Sequence, residues 1–184
     1  MDAREGPRGA RFLALVAGVA LLATTASANA AVKTKTFSSG DIDLDVPGMD
    51  IATSKLNVRP KGKIKDVKVS VRISHPFVGD LYLLLTDPKG NPVRLSTGNG
   101  GDGDDYGSGS TDCNGTFTTF NDGAPTAITA GVPPFNGPHI PEDFLSELDG
   151  GKTKGNWRLH VIDGEGGTGG ALHCWELRIK YKKL

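Results

Sequence analysis

The chain has 184 residues, room for one domain of ordinary size and too few for two. With 37% hydrophobic and 23% charged residues it is neither a disordered acidic tail nor a membrane bundle. Lys plus Arg total 21 and Asp plus Glu total 21, so the net charge is zero and the basic excess of a general nucleic-acid binder is missing.

The N-terminus reads as a signal peptide over residues 1–30. Arg4, Arg8 and Arg11 form a positive front, Phe12 to Ala23 an apolar run, and Ala28-Asn29-Ala30 a small-x-small cleavage pattern. The run is shorter than the ~20 residues of a membrane span, and a retained anchor is the alternative. The expected product is exported, extracellular or periplasmic, and free of the membrane after cleavage. In that oxidising setting the two cysteines, Cys113 and Cys174, most simply form one disulfide. Two free thiols or a metal pair are the other options. Neither cysteine has a partner at zinc-site spacing except His173 beside Cys174, and neighbouring strand residues face opposite ways.

Residues 31–40 are small and polar and read as a leader into a domain over 41–184. Val67, Val69, Val71 and Ile73 alternate with polar residues, which predicts a half-buried strand. After a turn at His75 to Gly79, Leu81, Leu83 and Leu85 form the next strand. Asp87-Pro88-Lys89-Gly90 closes a tight turn into a partner strand with Val93 and Leu95. Residues 98–116 are too rich in Gly and Asp to bury a core and form a long loop. Phe117 to Phe120 predicts a brief strand, 121–140 an irregular stretch, and Pro141 to Leu145 one helical turn. Trp157, Leu159 and Val161 alternate again. In the last strand His173, Trp175, Leu177, Ile179 and Tyr181 share one face by parity. Short strands, many turns and no βαβ rhythm predict an all-β, jelly-roll-like sandwich.

These segments carry a family resemblance. Ser74-His75-Pro76-Phe77-Val78-Gly79-Asp80-Leu81 resembles the His-x-x-x-Gly-Asp-Leu motif of the P domain (Homo B domain), found after the catalytic domain of proprotein convertases and bacterial subtilisin-like proteases. Leu85 to Gly90 is similar to that family's Leu-Thr-Ser-Pro-x-Gly turn, and Gly100 to Tyr106 to its Gly-Gly-x-Gly-Asp-Asn-Phe loop. Thr119-Phe120-Asn121-Asp122, Pro134 to Gly137, Pro141-Glu142, Leu145 to Gly150, Gly155-Asn156-Trp157 with Val161-Ile162-Asp163, and Gly169 to Leu177 follow in the family's order. The resemblance covers roughly residues 41 to 182. It implies a galactose-binding-like jelly roll of about eight antiparallel strands. Asn121 in place of an acid, Cys174 in place of a small polar residue, and a longer loop around Cys113 depart from the pattern.

The subtilisin triad segments are absent, and so is a Gly-x-Ser-x-Gly elbow. The resemblance makes His75 a structural turn residue. Alternation turns His160 outward, and parity makes His173 a packing residue. No catalytic residue is assigned. The resemblance implies a structural calcium ion, with Asp80, Asp104, Asp122 and Asp163 as ligands at strand-loop junctions. Turn formation by the same aspartates is the competing reading. The expected function is a non-catalytic, calcium-stabilised accessory or binding module whose partner is a secreted protease or another exported protein. The alternatives are a fragment of a split serine endopeptidase and a carbohydrate- or surface-binding jelly roll.

Overall fold

The computed structural model describes Met1 and residues 30–184; the predicted signal peptide lies outside the described residues but for its two ends. Ten strands run in chain order: β1 (Val32–Ser38), β2 (Leu44–Val46), β3 (Ile51–Val58), β4 (Gly62–Ser74), β5 (Leu81–Thr86), β6 (Pro92–Thr97), β7 (Thr118–Phe120), β8 (Gly137–His139), β9 (Gly155–Asp163) and β10 (Gly170–Lys183). They form a two-layer sandwich. One sheet has the order β1-β10-β4-β7-β8, with β2 also on β10, and the other the order β3-β9-β5-β6. Every pairing is antiparallel except β7 with β8, which is parallel. The β-sandwich expectation is therefore met, with more strands than the expected eight.

The alternating residues of β4, β5 and β9 point into the space between the sheets. Val69, Val71, Ile73, Leu81, Leu83, Leu85, Trp157, Leu159 and Val161 are all fully buried there, as period two requires. Trp175 fills the centre from β10, and its indole Nε1 donates to Ser54 Oγ of β3 at 2.8 Å, tying the layers together. Trp157 is equally buried and donates to the Thr153 carbonyl at 2.9 Å. The tryptophans are core residues with satisfied N–H groups.

Four local expectations change. Residues 31–40 hold β1, an edge strand paired with β10 from Val32↔Lys182 to Ser38↔Glu176, in place of a leader. Its outward residues are polar because it covers only the rim of the core, which is why its sequence shows no apolar period. The 98–116 loop does contribute to the core: Tyr106 is fully buried and bridges Ile73, with its hydroxyl 2.8 Å from Ser96 Oγ. Burial pushes that hydroxyl's pKa well above the ordinary tyrosine value. The helical turn lies later than predicted, as a 3-10 turn over Leu145–Leu148. In β10 the register slips between Leu172 and Cys174, so Leu172 and Trp175, three residues apart, both face the core. That bulge removes His173 from the face that simple parity assigned to it.

Cys113 and Cys174 are bonded, with Cα atoms 5.3 Å apart, and fasten the tip of the long loop to β10. The bridge spans 61 residues of sequence, so the chain-entropy model gives it about 4 kcal/mol. Replacing both cysteines by serine is expected to lower the unfolding free energy in urea by about that amount. An unchanged midpoint would show that the loop is already held without the bond.

Candidate functional site

The loops at one end of the sandwich converge on the turn after β4. His75 is buried, and its Nε2 donates to Asp163 Oδ2 at 3.0 Å, with both side chains fully inaccessible. His75 Nδ1 lies 2.9 Å from the Phe77 carbonyl and 3.2 Å from the Phe77 N–H. The pair links the end of β4 in one sheet to the end of β9 in the other. Asp163 Oδ1 also accepts the Glu165 N–H at 3.1 Å. Beyond His75 the chain meets the long loop backbone to backbone. Val78 N–H donates to the Gly103 carbonyl at 2.9 Å and Gly79 N–H to the Gly101 carbonyl at 3.0 Å. A Cβ on Gly79 would sit 2.8 Å from the Gly101 oxygen, so only glycine allows this approach.

Arg72 holds the same loop from below. It is buried, with Nη1 donating to the Ile73 carbonyl at 3.0 Å and Nη2 3.4 Å from both Asp105 Oδ2 and the Gly109 carbonyl. Asp105 turns back with φ +65° and accepts the His75 N–H on Oδ1 at 3.0 Å. The loop is thus ordered by a guanidinium, a carboxylate, a buried tyrosine and a disulfide.

The four aspartates expected around one calcium ion fall at separate places. Asp163 is committed to His75. Asp122 accepts the N–H groups of Leu145 and Ser146, each at 2.8 Å, and so caps the 3-10 turn. Asp80 stands beside Asp163, its carbonyl accepting the Gly164 N–H at 2.9 Å, and Asp104 is exposed on the long loop. The four carboxylates do not form one cage. Among the described residues the one trio with potential ligand atoms within 4.8 Å of one another is Asp41, Cys113 and Cys174, and its two sulfurs are spent in the disulfide.

A second constellation was not legible in the sequence. Ser74 Oγ lies 2.8 Å from His173 Nε2, and His173 Nδ1 lies 2.6 Å from Asp43 Oδ1. The order is that of a Ser-His-Asp triad. Acyl transfer also needs donors aimed at the developing oxyanion, usually the largest single contribution. Here the adjacent His75 N–H is committed to Asp105, and the Arg72 guanidinium donates to Ile73, Asp105 and Gly109. The relay instead fastens the segment before β2, whose Ile42 N–H donates to the His173 carbonyl at 2.9 Å, onto the β10 bulge. Asp43 takes φ +40° to reach the imidazole.

The outer face of the four-stranded sheet carries an apolar row. Ile51 of β3, Ile162 of β9 and Tyr82 of β5 stand side by side in register. Ile51 and Tyr82 are 54% and 42% exposed, and Met49, just before β3, is 75% exposed. In the next row His160 faces outward, as expected, with Nδ1 2.9 Å from Thr53 Oγ1, and partial burial with Arg158 nearby lowers its pKa. The β6 edge of this sheet is closed by Asp143, whose carboxylate grips the Arg94 guanidinium at 2.7 and 2.9 Å, and by Glu142 on Thr97.

The sequence matches the proprotein convertase P-domain family over residues 64–179. The structure of a serine protease of Aeromonas sobria is similar, with a TM-score of 0.54 and 16% identity over 82% of this chain and 27% of that chain. The complex of that serine protease with the chaperone ORF2 gives a TM-score of 0.55 and 16% identity over 84% of this chain and 28% of that one. At these identities the likeness is one of fold, and this chain spans little more than a quarter of the length of those proteins. No curated protein matches the chain.

The buried pair gives a direct test. His75→Ala leaves Asp163 in the core without its imidazole donor and is expected to cost about 3 kcal/mol in urea unfolding. Asp163→Asn keeps an acceptor and is expected to cost less. Equal, small effects of both substitutions would remove the pair from its role at this junction.

Proposed function

Because the chain belongs to the proprotein convertase P-domain family, we propose that it is an exported, non-catalytic module that docks on a subtilisin-like serine protease and supports its folded state. The P domain is an accessory domain of proteases, and the chain folds into a two-sheet sandwich. The observation that carries the reading is the apolar row of Met49, Ile51, Ile162 and Tyr82. Apolar side chains standing side by side on an exposed sheet face mark a contact surface. Ile51, Ile162 and Tyr82 lie on the outer face of the four-stranded sheet, with Met49 in the turn before β3.

The test uses the chain as bait for the exported proteins of its own source, followed by a serine-reactive fluorophosphonate probe. A captured, probe-labelled protease is expected, and Ile51→Asp with Tyr82→Asp is expected to abolish capture while leaving the melting temperature unchanged. Labelling of Ser74 in the chain itself would overturn the non-catalytic reading.

Calcium enters the same reading as a stabiliser, with Asp80 and Asp104, whose carboxylates accept no hydrogen bond among the described residues, as its candidate ligands. A cation bound by the folded state alone raises the melting temperature with concentration. Millimolar calcium is expected to raise it relative to EDTA, and Asp80→Asn with Asp104→Asn to remove the difference. Identical melts in calcium and EDTA would remove the ion from the reading.

A further inference from the structure

The balanced charge of the whole chain conceals a separated distribution. At the end of the sandwich opposite His75, the start of β4 and the end of β10 bring lysines together. Lys63 stands directly across from Lys182, and it also bridges Lys152. Further inward Lys180 faces Asp66, an opposite charge, and beyond that pair Lys68 faces Arg178. Like charges directly opposite one another destabilise a sheet. Lys61, Lys152 and Lys154 line a cavity of about 340 Å³ together with Leu184. Among the described residues the ion pairs are Arg72 with Asp105, Arg94 with Asp143, and the histidines 75 and 173 with Asp163 and Asp43; none involves these lysines. The carboxylates on this side, Asp66, Glu147 and Asp149, flank the cluster, and the nearby Asp66 and Asp122 help raise the pKa of Asp149 after its burial.

Two features say what covers this end. Apolar side chains stand among the lysines: Val32 is 55% exposed opposite Lys182, and Leu184 is 73% exposed at the cavity. In addition, the chain joins the fold here. The Ala31 carbonyl accepts the Lys183 N–H at 3.2 Å, and the apolar run Phe12 to Ala23 of the sequence precedes it by only a few residues. Residues 24–31 reach at most about 30 Å when fully extended. Before cleavage at Ala28-Asn29-Ala30, whenever the apolar run occupies a bilayer, the lysine end is therefore held near the headgroups.

We propose that the lysine-bearing end, built from Lys61, Lys63, Lys152, Lys154, Lys182 and Lys183 around Val32 and Leu184, docks on the surface of an anionic lipid bilayer. Juxtamembrane lysines are attracted to acidic lipid, and the attraction falls off within a Debye length. Lysine ammonium groups on long stems suit headgroups in a fluid surface, which offer charge without a fixed geometry. Apolar side chains among the lysines favour the bilayer over a soluble polyanion, which has no apolar layer to receive them. Among the described residues no helix is long and apolar enough to cross a membrane. The proposal is independent of the protease reading, which uses the outer face of the other sheet.

The test compares the full chain with a Lys61→Glu, Lys63→Glu, Lys182→Glu, Lys183→Glu variant. Partition is measured onto phosphatidylcholine vesicles with and without phosphatidylglycerol, at low and high salt, with soluble heparin as a second probe. Circular dichroism melting confirms that both proteins fold, and the matching Lys→Arg variant should retain binding. The wild-type chain is expected to bind phosphatidylglycerol vesicles in a salt-sensitive way. The Glu variant is expected to lose that gain by about tenfold or more, with its partition onto phosphatidylcholine unchanged. A gain that survives in the Glu variant would assign the effect to Arg4, Arg8 and Arg11 and overturn the proposal. Heparin binding without any gain from phosphatidylglycerol would also overturn it, in favour of a soluble polyanion.

Discussion

The pairing of β4 with β10 is the constraint on which the rest of the fold depends. These are the two longest strands, and their register runs from Ala171↔Ser74 to Lys183↔Gly62. The pair forms the middle of the larger sheet, with β1 and β2 on one side and β7 and β8 on the other. Its inward residues, Val67 to Ile73 and Trp175 to Tyr181, make one wall of the core. Two groups of features hang from its ends. The His75 turn and the disulfide-held loop lie at one, and the unpaired lysines at the other.

The two ends differ in how their polar groups are treated. At the His75 end polar groups are buried and, Arg72 Nε apart, answered: an imidazole by a carboxylate, the Arg72 Nη groups by a carboxylate and carbonyls. Burial without such answers would cost several kcal/mol per group, on the order of the stability of the whole domain. At the lysine end like charges stay exposed and unanswered, where solvent screens them. The first arrangement specifies a shape, and the second leaves a surface with attraction to spare for a partner of opposite charge.

The relay of Ser74, His173 and Asp43 shows why a catalytic geometry has to be judged by its surroundings. Three side chains in hydrogen-bond order can orient and hold a proton. Here they join two segments, the stretch before β2 and the β10 bulge. The β10 bulge makes that connection by displacing His173 from the core face, and the same bulge keeps Leu172 and Trp175 both inside.

Alternating β-branched and leucine residues in β4, β5 and β9, and the Asp87 to Gly90 turn, determined by themselves that this chain is a β-sandwich, because period two exposes one face of a strand and buries the other. The order of short motifs from Ser74 to Leu177 likewise determined the family. Tertiary structure alone decided β1, whose edge position needs no apolar period, and the buried Tyr106 in a loop that composition marks as solvent-exposed. It also decided the partners of each aspartate: Asp122 and Asp163 look alike at strand ends in sequence, yet one caps a turn and the other neutralises the demands of a buried imidazole. The apolar row and the lysine cluster belong to this second group. Their members come from strands far apart in the chain, and only the register of the sheets brings them side by side.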